Sequence, residues 1–176
     1  MLMNAEQSTL VLVDLQKKLM PAINHGDSVL AESVRLARIA KLLNVPVIAT
    51  EQIPEKLGHN DDEVATLADQ TVTKIHFDAC GGGLVEAIPN DRNQVIIGGC
   101  EAHVCMLQTA LSLLAAGFGV WVVENATGSR HDNDRDAALE RLQQAGATIV
   151  TVEMVAFEWM QHCEHSAFRE VQRLIR

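Results

Sequence analysis

Tyrosine is absent from this 176-residue chain, and with two tryptophans and four phenylalanines the aromatics reach only 3%. That leaves little to stack on a flat heterocyclic ring. Basic residues are short as well, 14 Lys and Arg against 23 Asp and Glu, for a formal net charge of −9. An acidic chain with no basic stripe is repelled by nucleic acid and by anionic membrane surfaces, so neither is an expected partner. No apolar run approaches the ~20 residues needed to cross a bilayer. The opening MLMNAEQSTLVLVDLQ has no basic n-region and no small-residue cleavage site, which makes the cytoplasm the expected address. Cys80, Cys100, Cys105 and Cys163 are the only cysteines, and none forms a C-x-x-C pair. The spacing speaks against a zinc ribbon and against a thioredoxin-type motif, and a cytosolic chain keeps its thiols reduced. If a cysteine acts here, it acts as a thiolate.

What is present is hydrophobic material, 48% of the residues, in short runs punctuated by helical periodicity. The length fits one domain over residues 1–176 with a core of its own. Ser8–Val13 (STLVLV) reads as a strand buried on both faces. The segment DSVLAESVRLARIAKLL from Asp27 reads as a helix with Asp27 at its N-cap, ended by Asn44. Further strands are predicted at Pro46–Thr50, Thr71–Ile75, Gln94–Gly98, Phe118–Val123 and Ala147–Val152. Helices are predicted near Glu63–Asp69, Gly83–Ile88, His103–Ala116, Asn133–Ala145 and Ser166–Ile175, with Gly117 and Gly146 as stops. Strict alternation of strand and helix predicts an α/β fold, a three-layer α-β-α arrangement on a six-stranded parallel, doubly wound, Rossmann-like sheet.

In such sheets ligands bind beyond the carboxyl ends of the strands. Those ends carry Asp14, Thr50-Glu51-Gln52, Lys74, the turn Gly99–Cys105, and Glu124-Asn125. Asp14, Lys74 and Cys105, far apart in sequence, therefore converge on one rim. Cys105 falls at the start of a helix, where the dipole and a nearby Lys74 ammonium are expected to lower its pKa below the usual ~8.5. Asp14 is placed to take the thiol proton and later hand it on. Backbone N–H groups of Glu101 and Cys105 are placed to receive an oxyanion. Gln16, Gln52 and His103 are further candidates for holding a polar substrate group. Other uses of the same residues stand beside this one. Cys100, His103 and Cys105 offer metal ligands, but C-x-x-H-x-C matches no zinc pattern. Cys100 with Cys105 offers a redox pair, and His162-Cys163-Glu164-His165 a metal set or a polar connection. Gly81-Gly82-Gly83 lacks the dinucleotide fingerprint and reads as a closely approaching loop. Trp121 and Trp159, in a strand and a helix, are expected to pack.

The stretches VLVDLQ (11–16), TEQ (50–52), TKIHFDAC (73–80), GGCEAHVCMLQTAL (98–111) and ENATGSR (124–130) resemble the isochorismatase-like cysteine hydrolases, in order along nearly the whole chain. Among these the chain is most similar to the short isochorismatase domain-containing proteins of unassigned substrate. The resemblance implies a six-stranded parallel sheet and an Asp–Lys–Cys triad at Asp14, Lys74 and Cys105. It also implies a non-proline cis peptide between Cys100 and Glu101. Nicotinamidase-type relatives bind a metal through an Asp-x-His pair after the second strand. Here that place reads Glu51-Gln52-Ile53 with His59 alone nearby, so no catalytic metal and no cofactor are expected. The expected activity is metal-free hydrolysis of a small amide or related substrate through a covalent acyl-enzyme. The alternative is a catalytically weak scaffold or partner-binding protein on the same fold. A homo-oligomer is expected from the resemblance and from the apolar Met154-Val155-Ala156-Phe157 and Trp159-Met160, which serve equally well as core.

Overall fold

A computed structural model describes residues 1–176. Strand β1 (Ser8–Val13) leads through a short 3-10 turn to helix α1 (Gly26–Leu42) and strand β2 (Val47–Gln52). Two short helices follow, α2 (Pro54–Leu57) and α3 (Asp62–Leu67), and then β3 (Gln70–Lys74) and the single turn α4 (Leu84–Ala87). Strand β4 (Gln94–Cys100) enters a π-helical turn at Ala102–Met106 that runs on as α5 (Leu107–Ala115). The chain closes with β5 (Gly119–Gly128), α6 (Asp132–Gln144), β6 (Thr148–Val150), α7 (Val152–Met160) and α8 (Phe168–Ile175).

All six strands are parallel, in the order β3-β2-β1-β4-β5-β6. The order reverses between β1 and β4, which makes their carboxyl ends the switch point where α/β sheets bind ligands. Alternation along β1 divides the core. Leu10 and Leu12 face a cluster closed by α1, α7 and α8, while Val11 and Val13 face one closed by the π turn, α5 and α6. Both tryptophans pack in the first cluster, and Trp159 Nε1 donates to Ser8 Oγ at 2.9 Å.

Several boundaries shift by a residue or two from the sequence expectations, among them β2 and β4, which run on to Gln52 and Cys100; three differences have a local reason. Asp27 is not the N-cap of α1; that position is His25, in the left-handed region, and Asp27 lies inside the first turn. The sixth strand stops at Val150, because the Thr151 hydroxyl accepts the Met154 N–H and caps α7. Strand β5 runs past Glu124-Asn125 to Gly128. Its register against β4 jumps from Ile97–Val122 to Gly99–Thr127, a bulge that no propensity marks. The carboxyl end of β5 is therefore Thr127-Gly128, and Glu124-Asn125 drop off the rim.

Candidate active site

Gly99 brings β4 against the end of β1. A Cβ at that position would stand 2.1 Å from the Val13 carbonyl oxygen, and its φ of +121° suits glycine. The next residue after Val13 is Asp14, itself left-handed at φ 51°. Asp is among the few residues that tolerate this region, and the conformation turns the carboxylate off the strand. There Oδ1 accepts the Thr50 hydroxyl at 2.6 Å and Oδ2 accepts Lys74 Nζ at 2.8 Å. Neither Asp14 nor Lys74 exposes any of its side chain.

Lys74 ends the edge strand β3, and its ammonium also donates to Gln52 Oε1 at 2.7 Å. Cys105 Sγ lies 4.0 Å from the same oxygen. The four side chains thus meet from the ends of β1, β2 and β3 and from the turn after β4. Cys105 sits in the π turn, a rare form that is frequent at functional sites. The Cys100–Glu101 peptide before it is cis.

The electrostatics correct one expectation. Burial pushes the Cys105 thiol up to about 12; the Asp14 carboxylate adds to the rise and Lys74 opposes it without winning. Proximity to a cation was legible in the sequence, but the depth of the site was not. Burial also raises Cys80 to about 12 and raises Cys100 strongly. Burial and Asp14 thus favour the thiol form of Cys105 over its thiolate.

The remaining candidates divide. Gln52 lies inside the cluster, with Nε2 donating to the Ile75 carbonyl at 2.8 Å. Gln16 is buried and wholly engaged by backbone: Oε1 accepts the Gln52 N–H, and Nε2 donates to the carbonyls of Gln52 and Gly58. His103 turns toward the end of β5, with Nδ1 2.9 Å from Ser129 Oγ and Nε2 3.8 Å from Asp134 Oδ2. The Glu101 side chain accepts Arg130 N and Nε, both at 3.0 Å. Glu51 spends its carboxylate on the Asn60 N–H at 2.8 Å and His59 Nδ1 at 3.1 Å. Thr50 is the member that sequence reasoning passed over, although it stood in the strand-end run. Gly82 is the other: a Cβ there would stand 2.9 Å from Lys74 Cβ, so the glycine loop presses on the lysine.

The larger surface cavities are lined by none of Asp14, Lys74 and Cys105. One of 560 Å³, between the N-terminal segment and the end of α7, lies elsewhere on the molecule. Next to the site is one of 420 Å³ lined by Ile75, His76, Phe77, Asp78, Gly81 and Gln108. Ile75 adjoins Lys74 in sequence, and Gln108 follows Cys105 by three residues, one turn along the helix.

Three similarities bear on this arrangement. The mouse isochorismatase domain-containing protein 2A is 36% identical over 97% of this chain and 84% of its own length. The structure of MAR1 ribonuclease from Caenorhabditis elegans shares 34% identity at a TM-score of 0.94, covering 99% of this chain and 92% of that one. The YcaC gene product of Escherichia coli, described as an octameric hydrolase of unknown specificity, matches at a TM-score of 0.88 and 25% identity over 99% and 94%. An isochorismatase domain spans residues 8–154, reaching from β1 into α7 and so taking in every strand of the sheet. Fold, sequence and domain agree along nearly the whole length, and the chain belongs to the isochorismatase family, with that family's hydrolase fold.

Proposed function

We propose that this protein is a metal-free cysteine hydrolase that cleaves a small amide or related bond through a covalent acyl-enzyme. The observation that carries the reading is the bridge made by Lys74 Nζ between Asp14 Oδ2 and Gln52 Oε1 beside Cys105 Sγ. With the thiol form favoured at rest, its proton leaves as the sulfur attacks, which calls for a base in contact with it. Asp14 takes that proton while Cys105 Sγ bonds to the carbonyl carbon, and the backbone N–H groups of Glu101 and Cys105 receive the oxyanion. Collapse expels the amine, which leaves with the proton from Asp14, and a thioester remains on Cys105. Water then attacks the thioester as Asp14 accepts its proton. The acid product departs, and the proton returns to sulfur. The Lys74 ammonium stays charged throughout and steadies each anionic species.

The absence of a metal from this mechanism rests on the missing Asp-x-His pair and on the engagement of the Glu51 carboxylate with Asn60 and His59. A homo-oligomer is supported by the octameric YcaC structure and by Met154 and Phe157, which α7 leaves about half exposed. A single-chain mass in light scattering would refute it.

A second reading comes from the ribonuclease of similar structure. The net charge of −9 favours small neutral substrates over a polyanion. One panel separates them: small amides, esters and an RNA oligomer, with native and Cys105→Ala protein and intact-mass detection. The expected outcome is an acyl adduct on the Cys105 peptide and loss of at least about 10³ in turnover in the variant. Undiminished amide turnover in Cys105→Ala overturns the mechanism. RNA cleavage that depends on Cys105 would replace the substrate class, and no turnover of any substrate would leave the scaffold alternative.

A further inference from the structure

Every polar group of Gln52 is engaged. Oε1 accepts Lys74 Nζ at 2.7 Å, Nε2 donates to the Ile75 carbonyl, and the main chain is clasped at N–H and C=O by the Gln16 carboxamide. Gln16 Nε2 donates at 2.6 Å to Gly58 O, which lies beyond α2. A side chain so occupied has one amide N–H left over, and its carboxamide oxygen is committed to Lys74. We propose that Gln52 is a positioning residue: its carboxamide oxygen takes one N–H of the ammonium that Asp14 also holds, which limits what Lys74 gives the Cys105 sulfur, and Gln16 ties the Gln52 main chain to Gly58.

An ammonium has three N–H bonds. Two are committed, to Asp14 Oδ2 and Gln52 Oε1, which leaves one for sulfur. The Gln52 oxygen is also a partial negative charge 4.0 Å from Sγ. Both effects favour thiol over thiolate, and both disappear with the oxygen. The ionisable groups facing Cys105 are Asp14 from the end of β1 and Lys74 from the end of β3, with the Cys100 thiol beside it at the end of β4. From α6, Asp134 faces His103, and after β5 Arg130 is paired with Glu101. Under the hydrolase reading, on which the purpose of this device rests, a thiol held neutral escapes stray oxidation, which follows thiolate character. It loses its proton to Asp14 only as it attacks.

The test uses no substrate. The iodoacetamide rate at Cys105 is read at pH 8, peptide by peptide, in the full chain and in Gln52→Leu, Gln52→Asn and Gln52→Glu. Removing or withdrawing the oxygen frees Lys74 toward sulfur, so Leu and Asn are expected to raise the rate about tenfold, one pH unit of thiolate fraction. Glu adds a full negative charge and is expected to slow it at least about threefold. A loosened site would quicken all three variants and open the buried Cys100 to the reagent. Faster alkylation with Leu and Asn and slower with Glu, Cys100 remaining silent, supports the proposal; any other pattern overturns it. Failure of the hydrolase reading looks different: the alkylation pattern survives, but no Cys105-dependent turnover is found.

Discussion

An ion pair with neither side chain exposed is a poor device for stability alone, because desolvating two charges consumes most of what their attraction returns. The proposed chemistry, which needs a carboxylate and a cation beside one sulfur, accounts for Lys74 and Asp14 better than stability does. Breaking the pair is another matter, since it strands a charge. Lys74→Met should lower the unfolding free energy by about 3–5 kcal/mol, the loss typical when one buried partner is removed. Asp14→Asn with Lys74→Met should recover most of that loss, because no charge then remains inside. Asn is the right replacement, since it tolerates the left-handed φ of 51° at this position and can still accept from Thr50. Urea unfolding of both single variants and the double decides it. Strictly additive losses would mean that the two charges do not depend on one another.

The elements carrying Asp14, Lys74 and Cys105 are unequal. β1 and β4 are central strands, but Lys74 rides on β3, an edge strand with only one neighbour. Two contacts compensate. Asp69, just before β3, accepts from the Val47 N–H at 2.9 Å and from Lys41 of α1. On the far side the glycine loop leans on Lys74 where a Cβ at Gly82 would reach 2.9 Å from Lys74 Cβ. A methyl there meets the root of the side chain, which cannot swing aside. Gly82→Ala is therefore expected to shift the ammonium and cut kcat by at least about tenfold while the fold holds, since misplacement of this order is costly in rate. Far-ultraviolet circular dichroism beside steady-state kinetics would show it, and native kcat in the variant would remove the loop from the site. That such a loop would sit close was legible in Gly81-Gly82-Gly83, though its target was not. The same division runs through the fold. Apolar runs and turn residues placed all six strands, and strand-end logic brought Asp14, Lys74 and Cys105 together. The β5 bulge, the π turn and the Thr50 contact escaped, because each depends on neighbours remote in sequence.

At the scale of the whole molecule, the shared feature of the buried thiols is that all are harder to ionise than in an open chain. Burial pushes Cys80 and Cys105 up to about 12 and raises Cys100 further, whereas an unfolded chain releases these protons near ~8.5. For an acid whose folded pKa is raised, the stabilising contribution is complete below the unfolded value. It is lost as pH climbs toward the folded one, because the unfolded chain sheds a proton that the native state keeps. Each fully buried thiol should then cost about 1.4 kcal/mol of stability per pH unit above pH ~9. Partly buried Cys80 adds less, since solvent screens it. The composition makes the effect readable, because with no tyrosine no phenol titrates in this window. Urea unfolding between pH 8.5 and 10 should show a steepening loss of stability. Cys100→Ala, which removes a thiol that the proposed chemistry leaves unused, should flatten that slope by about 1.4 kcal/mol per unit even if it lowers stability at pH 7. An unchanged slope in that variant would mean that Cys100 ionises in the native protein as readily as in the unfolded chain. The switch point would then be wetter than its packing indicates, and a Cys105 thiol neutral at rest would lose its basis.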